Sequence, residues 1–207
     1  MKLKIAVPVL ALAAFLAGAP AYALGGGIVF GVQGGGGVPT GDYGDEFSSG
    51  FNLGGTVDFM LMPMFGLGAD LGYFSNNAKD EVNQEFSDSL SAAAGTPITG
   101  EIKANALQYG AHATFMPPVP GGFHPYLQAG VAQYNTKLRF EGGGVKVDVE
   151  SNQVGFNVGG GAMFSVAPLV GVGVDAHYHN VGTKDDFGAD LTWLAVSARL
   201  TVKLPMP

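Results

Sequence analysis

The chain has 207 residues, 47% of them hydrophobic and 13% charged, with 34 glycines, no cysteine and a net charge of −7. Such a length is one domain's worth of chain, the missing cysteine removes disulfide and thiol chemistry, and the acidic balance argues against nucleic acid as a partner. No apolar run reaches the ~18 residues of a membrane-spanning helix, which leaves open β-spans of about ten alternating residues each.

The N-terminus reads as a secretory signal peptide over residues 1–23. Lys2 and Lys4 form the basic start, Ile5 to Leu16 the apolar core, and Ala21-Tyr22-Ala23 a small-x-small cleavage site. Its removal leaves residues 24–207 as one domain, with 8 basic against 17 acidic residues and a net charge of −9. The first strand follows, with Ile28, Phe30 and Val32 on one face. Gly34 to Ser49, rich in glycine and carboxylates, reads as a loop.

The stretch Phe51 to Tyr73 is the most informative. Phe51, Leu53, Gly55, Val57 and Phe59 alternate with Asn52, Gly54, Thr56 and Asp58. After a break at Leu61-Met62-Pro63, Phe65, Leu67, Ala69, Leu71 and Tyr73 alternate with Gly66, Gly68, Asp70 and Gly72. Period-two alternation on both sides of a tight reversal predicts an antiparallel hairpin. A soluble sandwich would place Lys, Glu and Thr in water opposite its apolar face. Here the second face is glycine, small polar residues and two carboxylates, which suits the crowded interior of a closed barrel, with the apolar stripe facing lipid. Phe51 to Phe59 spans roughly 26 Å at ~3.3 Å per residue. Tilted by about 40°, that is roughly 20 Å of height, near the ~25 Å apolar band of such barrels.

Ser75 to Glu101 is too long and polar for a simple turn and reads as an exposed loop, with a short helix over Glu81 to Ala94. Strand four runs from Ile102 to Met116, with Leu107, Tyr109, Ala111, Ala113 and Phe115 outward. Pro117 to Gly122 turns the chain, because three prolines cannot continue a ladder. Strand five runs from Pro125 to about Arg139, and Gly142-Gly143-Gly144 marks a loop or a bend in a protruding hairpin. Strand six carries Val154, Phe156, Val158, Gly160, Ala162 and Phe164 outward, and Ala167-Pro168 turns the chain. Strand seven shows Val170, Val172, Val174, Ala176 and Tyr178, Asn180 to Asp190 is a polar loop, and strand eight shows Thr192 to Leu204 on alternate positions.

These elements predict an all-β fold, an eight-stranded antiparallel up-and-down transmembrane β-barrel. Long and short connections alternate as they do between outer and periplasmic ends. The chain resembles the small eight-stranded outer-membrane β-barrel family of the OmpA/OmpX type. The resemblance is carried by Val38-Pro39-Thr40-Gly41-Asp42, Pro125 to Val131 and Val154 to Gly161. It implies the Gram-negative outer membrane as location, with outer-membrane lipid, lipopolysaccharide and barrel-assembly machinery as partners. Such barrels usually end in an aromatic residue read during assembly, whereas this sequence ends Leu204-Pro205-Met206-Pro207.

By alternation Asp58, Asp70, Asp175, Arg199 and Lys203 point into the lumen. An unpaired charge there is costly, so these five are expected to pair in a polar plug around Arg199. His177 and His179 share a face in line with Asp175, but His112 sits near the other end of its strand, roughly 13 Å away in height. The histidines are read as rim residues, with no metal site. His177-Tyr178-His179-Asn180-Val181-Gly182 is similar to the His-x-Ser-Asn-x-Gly motif of outer-membrane lipid A deacylases. His179 stands where the nucleophilic serine belongs, and acyl transfer needs an activated hydroxyl or thiol. The glycine runs lead into a loop and a strand rather than a helix, so they are not phosphate cradles. Loop carboxylates such as Asp42, Asp45, Glu46, Asp80, Glu81, Asp185 and Asp186 read as a solvated acidic surface without calcium-site spacing. The sequence therefore predicts no catalytic residues, metal or cofactor, but a non-enzymatic barrel with a structural or surface-interaction role. A narrow pore or conduit for small hydrophobic molecules is the alternative.

Overall fold

The computed structural model describes residues 27–182 and 190–205. The predicted signal peptide and most of the loop before strand eight, including Asp185 and Asp186, lie outside them. Eight strands close into an antiparallel barrel in which each pairs with its sequence neighbours and β1 pairs with β8. They are β1 (Gly27–Thr40), β2 (Gly50–Met60), β3 (Phe65–Asn77), β4 (Gly100–Phe115), β5 (Phe123–Gly142), β6 (Val145–Ala167), β7 (Val170–Val181) and β8 (Leu191–Pro205).

The alternation fixes the register. Every residue pair across a ladder shares a face, so a one-residue slip would turn carboxylates to lipid and leucines inward. The outer surface is apolar, with Leu53, Leu127, Val131 and Val154 more than 60% exposed. That is the pattern of a lipid-facing belt, not of a surface in water. Aromatic pairs edge the belt. Phe51 and Tyr73 lie 6.0 Å apart at one end, and Phe65–Phe115 (5.0 Å) and Phe123–Phe164 (5.3 Å) at the other.

Two predicted boundaries are corrected. The stretch read as a loop from Gly34 is strand as far as Thr40, because Gly34 to Gly37 pair with β2 on one side and β8 on the other. Backbone hydrogen bonding continues although no side chains mark the alternation. The stretch then forms a short helix, α1 (Gly41–Glu46), whose Tyr43 is buried.

The segment read as an exposed loop with a short helix over Glu81 to Ala94 does carry that helix, α2 (Asp80–Ala94), but docked on the strands rather than free, and it ends at Gly95 in a left-handed conformation, φ 70°. Val82, Phe86 and Leu90 repeat every fourth residue and face the strands. Phe86 packs on Phe140 at 5.8 Å, and a Cβ on Gly100 or Gly142 would meet Phe86 or Leu90. Beside that stripe, Asn83, Ser87 and Ser91 accept hydrogen bonds from the amides of Ile102, Gly100 and Ile98, each at 2.8 Å. One helix face thus fastens to the start of β4 by packing and hydrogen bonding.

The β5–β6 connection is a hairpin that projects beyond the apolar belt. Gly143 and Gly144 both have positive φ, 57° and 78°, as a tight two-residue turn requires. On its outer face Lys137–Glu150 (2.7 Å), Arg139–Asp148 (3.0 Å) and Lys146–Glu141 (3.0 Å) pair across the strands. The bond from Arg139 holds the Asp148 carboxyl below its ordinary range, and that from Lys146 does the same for Glu141. Both helices and this hairpin stand at one end of the barrel. The tight turns Leu61–Met64, 116–122 and Pro168-Leu169 stand at the other.

Candidate functional site

The lumen is built from the inward row of each strand, and its lower half centres on Arg199. From β8 the guanidinium donates through Nη1 to the Tyr126 hydroxyl of β5 (3.0 Å) and lies 3.9 Å from Asp175 of β7. Its Nη2 donates to Thr56 Oγ1 and lies 3.5 Å from Asp58 Oδ2, both on β2. The cation also sits over the Tyr126 ring, 5.4 Å from its centre. Tyr126 completes the circuit by donating to Asp175 Oδ2 at 3.1 Å. Small neighbours make the space. A Cβ on Gly31 would fall 2.6 Å from Thr56 Oγ1 and 3.0 Å from Arg199 Nε.

His112 of β4 links the remaining carboxylates. Its Nε2 meets Asp58 Oδ1 at 2.8 Å and its Nδ1 meets Asp70 Oδ1 at 2.9 Å. A ring nitrogen facing a carboxylate must donate, and both do so only in the imidazolium form. Thr114 donates to Asp58 at 3.0 Å, and Gln108 donates to Asp70. Gly68 on β3 faces the ring, where any Cβ would collide with it.

Four of the five charges predicted to pair are therefore brought together: Asp58, Asp70, Asp175 and Arg199. Lys203 is not. It points inward as alternation requires, but it lies further down β8, exposed at the turn end, with no acidic partner among the described residues. The histidines correct the rim reading. His112, His177 and His179 are all buried inside the barrel. His112 belongs to the network that sequence reasoning built without it, as do Tyr126, Thr56 and Gln108. All four lie on inward rows, a signal present in the sequence, but their heights depend on a register it does not state.

In the upper half of the lumen aromatic rings gather among a few buried polar side chains such as Asn76 and Thr136. His179 stacks on Trp193 with ring centres 5.0 Å apart and planes 9° apart, and its Nδ1 shares a hydrogen bond with the Tyr134 hydroxyl at 3.0 Å. Trp193 also packs against Phe74 at 5.1 Å and against Tyr43 of α1 at 6.4 Å. Tyr134 and Trp193 are no more than 2% exposed. Ion pairs thus occupy the lower half of the barrel, and rings the space under α1. His177 and His179, in the stretch similar to the deacylase motif, face this interior and not lipid. Chemically the arrangement fixes charge inside the barrel.

The family model described as "Outer membrane protein beta-barrel domain" matches residues 9–199. No curated protein matches the chain. Among solved structures, Neisserial surface protein A is similar at 16% identity and TM-score 0.59, over 86% of this chain and 97% of that one. A major outer membrane protein from Thermus thermophilus is similar at 13% identity and TM-score 0.55, over 86% and 99%. The N-terminal β-barrel domain of Pseudomonas aeruginosa OprF is similar at 14% identity and TM-score 0.50, over 86% and 99%. At these identities the likeness is one of fold.

Proposed function

Because the chain belongs to the outer membrane protein beta-barrel domain family, we propose that it acts as a non-enzymatic, non-conducting barrel whose role is structural or interactive at the cell surface. The observation that carries this reading is the double closure of the lumen beneath an end that gathers α1, α2 and the β5–β6 hairpin. A wall that transmits nothing leaves the projecting end as the working surface. In this reading the apolar belt sits in outer-membrane lipid and lipopolysaccharide after insertion by barrel-assembly machinery. The tight turns face the periplasm, and nucleic acid has no part. The same closure weighs against a conduit for small hydrophobic molecules. The inward placement of His177 and His179 weighs against lipid A deacylation.

The test uses the absence of native cysteine. Val145→Cys at the hairpin tip should react with a membrane-impermeant maleimide on intact cells. Met62→Cys in a tight turn should react after the outer membrane is permeabilised. The opposite pattern, or no labelling of Val145→Cys on intact cells, would reject surface presentation.

A further inference from the structure

Below the Arg199 network the lumen opens, between the tight turns, into a cavity of about 370 Å3. Its wall differs from the polar lumen above. Met60 of β2, Met62 and Met116 of two turns, and Met163 of β6 converge on it, four of the chain's seven methionines. Asp58 is the cavity's acidic wall residue, and Arg199 (3.5 Å) and His112 (2.8 Å) already engage it. At the mouth stands Lys203, exposed and without an acidic partner among the described residues. An acidic chain thus presents a concave apolar surface with a free ammonium at its entrance.

We propose that this cavity binds a single-chain anionic amphiphile from the periplasmic side, its tail among the methionines and its head at Lys203. The volume lies within the ~300–1,000 Å3 of small-molecule sites, which are mostly apolar with a few placed polar groups. Unbranched thioether side chains adapt to tails of differing length and kink. The charge contact at Lys203 is water-facing and therefore salt-sensitive. The Arg199 network forms the roof, so the site holds its ligand and does not pass it on. Binding here is independent of the surface role proposed above.

The test uses the refolded barrel in nanodiscs with 13C-methyl methionine. Decanoate stands for free fatty acids and decyl phosphate for phospholipid-derived lysolipids. Decanol and decyltrimethylammonium are the neutral and cationic controls. Either anion should shift the Met60, Met116 and Met163 methyls saturably while the Met64 methyl, outside the cavity, stays in place. The tighter anion identifies the source. Lys203→Ala should fold normally, shown by unchanged heat-modifiable migration, and weaken anion binding about fivefold, as an exposed charge pair gives. Decanol and decyltrimethylammonium should bind wild type at least that much more weakly. Cavity methyls that do not move, Met64 moving in step with them, or full affinity in Lys203→Ala would each overturn the proposal.

Discussion

Replacing Arg199 by methionine tests the lumen network at its centre. At an effective dielectric of ~20, a cation 3.5 Å from Asp58 and 3.9 Å from Asp175 gains roughly 4–5 kcal/mol of attraction from each. Most of that is offset by the desolvation of the guanidinium, which the variant no longer incurs. What remains is the cost of two buried carboxylates missing a partner, about 3–5 kcal/mol where nothing else holds them. Here Asp58 keeps His112 and Thr114, and Asp175 keeps Tyr126. The expected loss is therefore roughly 2–4 kcal/mol, read as a shift in urea-driven unfolding from phospholipid vesicles. Lys203→Met, which breaks no ion pair among the described residues, should stay within about 0.5 kcal/mol. Adding Asp58→Asn to Arg199→Met should cost less than the two single changes together, with a coupling of about 1–3 kcal/mol. If Arg199→Met and Lys203→Met are equally mild, or the two network changes are additive, the ion pairs do not hold the barrel interior as described.

Three further outcomes follow from the packing. Gly68→Val drives a side chain into the His112 ring and should destabilise the barrel by roughly 1–3 kcal/mol, whereas Gly37→Ala, which meets nothing within 4 Å, should be near neutral in the same titration. Phe86→Ala should loosen α2 by about 2 kcal/mol and raise protease cleavage between residues 79 and 99 roughly 30-fold, with the barrel itself intact; an unchanged cleavage rate would show that α2 is not fastened by its apolar stripe. The hairpin tip should respond to acid. Asp148 and Glu141 have carboxyl pKa values lowered in the folded protein by Arg139 and Lys146, so their contribution is present above the ordinary carboxylate range and is lost as pH falls through the lowered values. Amide exchange around Gly143 and Gly144 should accelerate below about pH 4 relative to pH 6, beyond the intrinsic change, and equal protection at both would contradict the pairing.

The alternation made the barrel legible because one residue step reverses inside and outside, so Phe51 to Tyr73 alone separates lipid from lumen. It fails where side chains are missing: Gly34 to Gly37 carry no parity, and their place in β1 comes from pairing to β2 and β8. Alternation also gives direction without height. Lys203 and Arg199 share the inward row of β8, yet Arg199 reaches Asp58 and Lys203 lies past the plug at the mouth. His112 was invisible as a network member for the same reason, since the register of β4 against β3 decides that it meets Asp70. The aromatic closure was hidden in plain composition. Phe74, Tyr134 and Trp193 lie on inward rows, but their convergence under Tyr43 depends on α1, which a glycine-rich segment did not announce.

The double closure is tested most directly by conductance of the refolded barrel in a planar bilayer, recorded for wild type and for Arg199→Ala. A plugged lumen predicts silence from wild type, and silence from Arg199→Ala as well, because the ring of Phe74, Tyr134, His179 and Trp193 still blocks the upper half. Discrete, reproducible steps from wild type would contradict the account and make the lumen the working site.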